Sequence, residues 1–130
     1  MLQKYIILIL LLLPVAVFSQ PLNCSKFKEG KFRIADTRAG AITITERKGE
    51  YQTESSEALK AVVRFKITWQ DNCTYTLKLD KVIRNENKID FPSNMVVHVK
   101  IIETAANSYI QETSSSLTNG TYKVEVTKIN

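Results

Sequence analysis

The stretch "LKAVVRFKITWQDNCTYTLKL", residues 59–79, decides the fold. Leu59, Ala61, Val63, Phe65, Ile67 and Trp69 fall on one face of an extended chain. Lys60, Arg64, Lys66 and Thr68 fall on the other, with Val62 the one apolar intruder. An alternation of period two over eleven residues is that of a half-buried antiparallel strand, because a helix would spread both sets around its circumference. After the polar link Gln70-Asp71-Asn72 the alternation resumes, with Cys73, Tyr75, Leu77 and Leu79 inward and Thr74, Thr76, Lys78 and Asp80 outward. The two runs predict a hairpin with Trp69, Cys73 and Tyr75 on its buried side.

The same rule extends in both directions. "KFRIAD" alternates at Phe32 and Ile34, and "AITITER" at Ile42 and Ile44, with Arg47-Lys48-Gly49 turning the chain into "EYQTE". "MVVHVKII" sets Met95, Val97, Val99 and Ile101 against Val96, His98, Lys100 and Ile102. "TYKVEVTKI" buries Tyr122, Val124 and Val126 and is entered through Asn119-Gly120, a hairpin turn signal. "SYIQET" around Tyr109 and "KIDF" around Ile89 are weaker strands, and a helical turn is expected near residues 55–59. About eight strands at intervals of roughly ten residues predict an all-β fold: a small antiparallel meander or barrel, lipocalin-like in outline.

The chain opens "MLQKYIILILLLLPVAVFSQ", one cation followed by an apolar run too short for a membrane span and a small-residue boundary. This pattern predicts a signal peptide over residues 1–19 and a single β-barrel-like domain over residues 20–130, in a secreted or periplasmic protein. Asn23 rather than a small residue precedes Cys24, which argues against a lipid anchor. Cys24 and Cys73 are the only thiols in a chain addressed to an oxidising compartment, so a disulfide between them is expected. Removing Lys4 with the leader lowers the formal charge from +5 to +4, and the cations are scattered. No nucleic-acid partner is therefore expected. Charged residues such as Lys66, Lys78, Lys100 and Lys123 on the second strand face also speak against a barrel inserted in a membrane.

Little in the sequence suggests catalysis. His98 is the one histidine, so a zinc site lacks ligands, and the aspartates are isolated and lack calcium-loop spacing. Glu54 with Glu57, or Glu46 with Glu50, are the carboxylate pairs, all placed in predicted turns or at strand ends and read as solvated charge. No catalytic residue, metal or cofactor is assigned. Three N-x-[ST] triplets, at Asn23, Asn72 and Asn119, barely exceed chance, and two abut a disulfide cysteine. The aromatic set Phe65, Trp69, Tyr75 and Tyr122 shares the apolar face, and an eight-stranded barrel either fills with such side chains or leaves room for one small ligand. These four are the candidate lining of a ligand cavity.

The segments "CSKFKEGKFRI", "FKITWQDNCTYTLKL" and "GTYKVEVTKI" resemble a family of small secreted proteins of unassigned function, common in Bacteroidetes-type bacteria. In that family a C-x-x-(F/Y)-(K/R)-x-G-x-F motif precedes a strand ending W-x-(D/N)-x-C-x-Y-x-L. Cys24, Phe27, Lys28, Gly30 and Phe32 match the first motif, and Trp69, Asp71, Cys73, Tyr75 and Leu77 the second. The resemblance brings no catalytic residues. The topoisomerase-subunit label that some members carry does not suit a chain this short without a nucleotide loop. The expected function is a non-enzymatic module that binds a small apolar ligand or an envelope or host protein. The alternatives are a structural envelope protein with a solid core and, least favoured, a small hydrolase dependent on His98.

Overall fold

The computed structural model describes residues 21–36 and 41–130, so the expected signal peptide lies outside the described residues. A 3-10 turn, Ser25–Phe27, precedes eight strands: β1 Gly30–Asp36, β2 Ala41–Lys48, β3 Tyr51–Ser56, β4 Ala61–Trp69, β5 Thr74–Asn85, β6 Val96–Thr104, β7 Ser108–Ser115 and β8 Thr121–Lys128. Each pairs antiparallel with the next, and β8 returns to β1 to close a barrel. This is the all-β fold that the alternation calls for.

The β4–β5 hairpin is its spine, paired from Trp69 opposite Tyr75 to Ala61 opposite Asn85. Ala61, Val63, Phe65 and Ile67 are buried as their spacing requires, and so are Tyr75 and Leu77 across the pair. Asp71 accepts a hydrogen bond from the Cys73 amide at 2.8 Å, which tightens the connection. The register slips twice, passing over Asp80 and Ile83 in β5. Bulges of this kind add twist, and a sheet of eight strands needs it to curl on itself.

Some expectations are corrected. Residues 86–95, including Ile89, form a loop rather than a strand. The predicted helical turn is a simple reversal over residues 57–60, and Leu59 within it is exposed. The β7–β8 connection spans residues 116–120, longer than a two-residue Asn-Gly turn. The largest correction concerns β2. Ile42 is exposed, whereas Thr45 and Arg47 are buried, so the strand turns its polar face inward. On β3, Gln52 and Ser56 are buried likewise.

The two ends of the meander differ. One carries the Gly49-Glu50 turn, the β4–β5 link, the β6–β7 link and the 3-10 turn; the other carries the loops at 57–60, 86–95 and 116–120. The first end is sealed. Phe27 is wholly buried against Phe32 and Tyr109, at ring separations of 6.4 and 4.9 Å. Lys26 Nζ donates to the carbonyls of Ala105 and Ala106, and Lys128 Nζ donates to that of Lys26. At Gly30, φ is +128° and a Cβ would stand 2.8 Å from the Asn130 carbonyl oxygen, so glycine lets the turn pass into β1 against the chain's end. The expected disulfide joins Cys24 to Cys73 across a sequence separation of 49 and pins the seal to the β4–β5 link.

Replacing both cysteines by alanine is expected to cost on the order of 4 kcal/mol, the loop-closure entropy for a ring of this size. Urea denaturation of C24A/C73A against the parent measures it, and a loss below about 1 kcal/mol would show that the plug holds without its covalent tie.

Candidate functional site: a buried arginine beneath a lopsided cavity

Above the seal the barrel is not filled. A cavity of about 300 Å³ runs from the buried side chains of the middle layer toward the looped end. Its lining is divided. Phe65 of β4, Leu77 of β5, Val97 and Val99 of β6, Val124 of β8 and Ile34 of β1 are apolar, with Phe91 and Met95 reaching in from the long loop. Thr43 and Arg47 of β2, Gln52 and Glu54 of β3, and Gln111 and Thr113 of β7 are polar. The division follows from the inversion of β2 and β3: the residues that alternate with Ile42, Ile44 and Tyr51 are the ones that face the interior.

Arg47 lies deepest on the polar side and retains 2% of its accessible surface. It is the cross-strand neighbour of Gln52 because the Gly49-Glu50 turn sets Lys48 opposite Tyr51. Its Nε donates to Gln52 Oε1 at 2.7 Å and its Nη1 to the Phe27 carbonyl at 3.0 Å. Its Nη2 donates to the hydroxyls of Tyr75 at 2.7 Å and Tyr109 at 2.6 Å. Aromatic faces complete the enclosure, with the guanidinium carbon 4.5 Å from the Phe32 ring centre and 4.9 Å from that of Tyr75. Burial pushes the guanidinium pKa down, but Tyr75, Tyr109 and Glu54 carry it above the ordinary value. The arginine therefore stays charged inside the barrel.

Two chains of hydrogen bonds leave it. On β3, Gln52 Nε2 donates to Glu54 Oε1 at 2.9 Å. On the other side, the Tyr75 hydroxyl donates to Gln111 Oε1 at 3.2 Å, and Gln111 Nε2 donates to Thr113 Oγ1 at 3.0 Å. Burial holds the Tyr75 phenol well above its usual pKa, against the pull of Arg47, so it keeps the proton it donates. Burial also raises the Glu54 carboxyl, with the Gln52 hydrogen bond and the Arg47 charge opposing it. Glu54 keeps some accessible surface because it lines the cavity. Thr45, its cross-strand partner, buries its hydroxyl with no hydrogen-bond partner among the described residues.

Phe65, Tyr75 and Tyr122 of the expected set line the cavity, Tyr122 near its mouth and 42% exposed. Trp69 does not. At the sealed end of β4 its ring packs 4.6 Å from that of Tyr75 and beneath the Lys28 ammonium, alongside the disulfide. His98 is exposed on the outer face of β6, opposite Thr76 and Ser114. Among the described residues no group of three His, Cys, Asp or Glu side chains converges as metal ligands would. Reading by hydropathy missed Arg47, Gln52, Gln111 and Thr113 and placed Glu54 in solvent. The usable signal is the two-residue turn at Gly49-Glu50, which makes Arg47 and Gln52 partners and puts Thr43, Thr45, Gln52 and Glu54 on one face with them. Comparison of the chain with family models, with curated proteins and with solved structures finds no match.

The guanidinium serves four acceptors, and an ammonium has only three protons to give. Arg47→Lys is expected to cost about 3 kcal/mol in urea denaturation, since it strands at least one buried acceptor and loosens the rest; a cost below about 1 kcal/mol would show that charge alone suffices. Because the folded protein raises the Glu54 pKa, the stability this residue contributes is full below the ordinary carboxylate range and is lost as pH rises through the folded value. Denaturation midpoints of the parent and of Glu54→Gln should therefore agree near pH 4 and separate toward pH 7 in favour of the variant. Parallel pH profiles would show that Glu54 ionises in the barrel as it does in water.

Proposed function

We propose that this protein is a non-enzymatic secreted or periplasmic β-barrel that holds one small, largely apolar ligand. The observation that carries the reading is the cavity of about 300 Å³ inside a closed barrel, sealed at one end and lined on one side by Phe65, Leu77, Val97 and Val99. A volume of this order lies at the lower bound of small-molecule sites. It also separates the reading from a structural protein with a solid core, since a barrel that only displays its outer surface has no need of the space.

The compartment is supported by the disulfide, which persists in oxidising surroundings, and by the resemblance to small secreted bacterial proteins. No helix among the described residues is long and apolar enough to cross a membrane. The outward positions Lys66, Lys78, Lys100, Lys123 and Glu125 are exposed where a membrane barrel presents an apolar band. The interior polar groups support binding over turnover: four of the five Arg47 N–H groups are engaged by the protein's own acceptors and hold the wall in place.

The test is uptake of the neutral dye N-phenyl-naphthylamine, whose fluorescence rises in apolar surroundings. The parent should take up one equivalent, and Val97→Trp, which places an indole in the cavity, should abolish uptake with the far-ultraviolet circular dichroism unchanged. Dye binding that is absent in the parent, or equal in the variant, rejects the ligand reading.

A further inference from the structure

Outside the cavity, and independently of it, we infer that the outer face of β2 to β5 binds an acidic polysaccharide, held by a row of lysines that the strand register assembles around Tyr51.

The cations are scattered along the sequence, but pairing gathers several of them. Lys48 of β2 stands opposite Tyr51 of β3, Tyr51 opposite Lys66 of β4, and Lys66 opposite Lys78 of β5. Cross-strand partners share a face, so the four side chains form one line around the barrel, across three strand spacings or about 14 Å. All four are exposed, Tyr51 at 41%. Among the described residues the three ammonium groups enter no hydrogen bond or ion pair. The acids at the margins are Glu46 and Glu50 at the Lys48 end and Asp80 at the other, and Asp80 is taken by Arg64 at 2.7 Å. Like charges directly opposite each other destabilise an antiparallel pair. Lys66 and Lys78 are such a pair, within the hairpin that forms the spine of the fold. An anion lying between them removes the repulsion.

The partner's class follows from what surrounds the charge. At Lys66 both neighbouring strands are already paired, and β5 is paired with β6 as far as Lys78. An acidic peptide therefore finds no free backbone edge along the row to which it could add as a strand. Tyr51 is the one aromatic side chain in the line, too little to anchor this face in a bilayer. A single-stranded nucleic acid is matched by an extended basic groove, and three cations make a short one. A linear polyanion that crosses the strands and meets side chains alone fits the row. The Arg64 guanidinium, 4.6 Å from the Tyr51 ring centre, steadies that ring. The C–H groups of a sugar pack on the electron-rich face of an aromatic ring. A polysaccharide with carboxylates on successive sugars offers both halves, a ring for Tyr51 and anions for the lysines on either side.

The experiment is binding of hexagalacturonate at low salt, read by fluorescence polarisation of the labelled sugar, with maltohexaose as its neutral counterpart and a thymidine hexanucleotide as its nucleic-acid counterpart. The parent should bind hexagalacturonate at least tenfold more tightly than either counterpart. Lys66→Glu and Lys78→Glu should each weaken it about tenfold, the scale of one charge-assisted hydrogen bond, and Tyr51→Ala should weaken it several-fold. Lys123→Glu, the same charge change on β8 four strands from β4, should leave it unchanged. Lys78→Glu should at the same time raise the urea midpoint, because it turns a repelling cross-strand pair into an attracting one, so its loss of binding is not a loss of fold. The inference is overturned if the parent fails to bind hexagalacturonate, if the hexanucleotide or maltohexaose binds as tightly, or if Lys123→Glu loses as much as the row variants. An unchanged affinity in any row variant, or a lowered midpoint in Lys78→Glu, overturns it as well. None of these outcomes bears on the cavity.

Discussion

The structure is organised around a charge that has no water to turn to. Arg47 sits inside the barrel with its guanidinium against Phe32, Tyr75 and Tyr109, and among the described residues no carboxylate pairs with it. A cation in such a place is tolerable only if every N–H finds an oxygen and the surrounding dipoles point the right way. That requirement reaches further than one residue. It engages the hydroxyls of Tyr75 and Tyr109, the carbonyl of Phe27 and the amide of Gln52, whose oxygen must face the guanidinium. The Phe27 bond ties the arginine to the N-terminal plug, and the plug is tied to the β4–β5 link by the disulfide. The seal and the cavity floor are thus one unit.

The fold was legible because the strands that carry it are amphipathic in the ordinary sense. In β4 and the first half of β5 the apolar residues are inside, the charged ones are outside, and the spacing cannot be mistaken. The two cysteines were legible for a different reason, namely that two thiols in a chain read as secreted have one partner each. Neither signal reaches β2 and β3. There the apolar residues Ile42 and Tyr51 face outward and Thr43, Thr45, Arg47, Gln52 and Glu54 face inward. A rule that sends apolar side chains to the interior assigns this pair the wrong face, because its interior side borders an open, partly polar cavity and not a packed apolar core. The failure is local and it falls where the chain departs from plain apolar packing. Trp69 shows the reverse error. An aromatic on the inward face looked like a cavity wall, but its position at the sealed end makes it part of the floor's packing.

A polar network of this kind is a poor means of stabilising a small barrel. Apolar side chains of the same volume would fill the space at no desolvation cost, and about 300 Å³ left open forfeits contacts that a solid core would make. The disulfide, the aromatic cluster of Phe27, Phe32 and Tyr109, and the long β4–β5 pairing offset that loss from outside the cavity. The division of labour is visible along the axis: covalent and aromatic contacts at the closed end, a hydrogen-bonded polar wall in the middle, and loops at the mouth.

That axial order has a consequence for exchange. With the Phe27 plug, the disulfide and the lysine contacts at one end, a molecule can reach the interior only past the loops at the other, where Phe91 and Met95 project from residues 86–95 over the lining. β5 pairs with β6 only as far as Lys78 opposite Val96, so beyond that point the long loop, and not a ladder of backbone hydrogen bonds, bridges the two strands. Local opening is easiest where such ladders are fewest. The wall with the fewest ladder bonds is therefore the one beside the apolar lining, and the wall built on Arg47 is the more firmly tied.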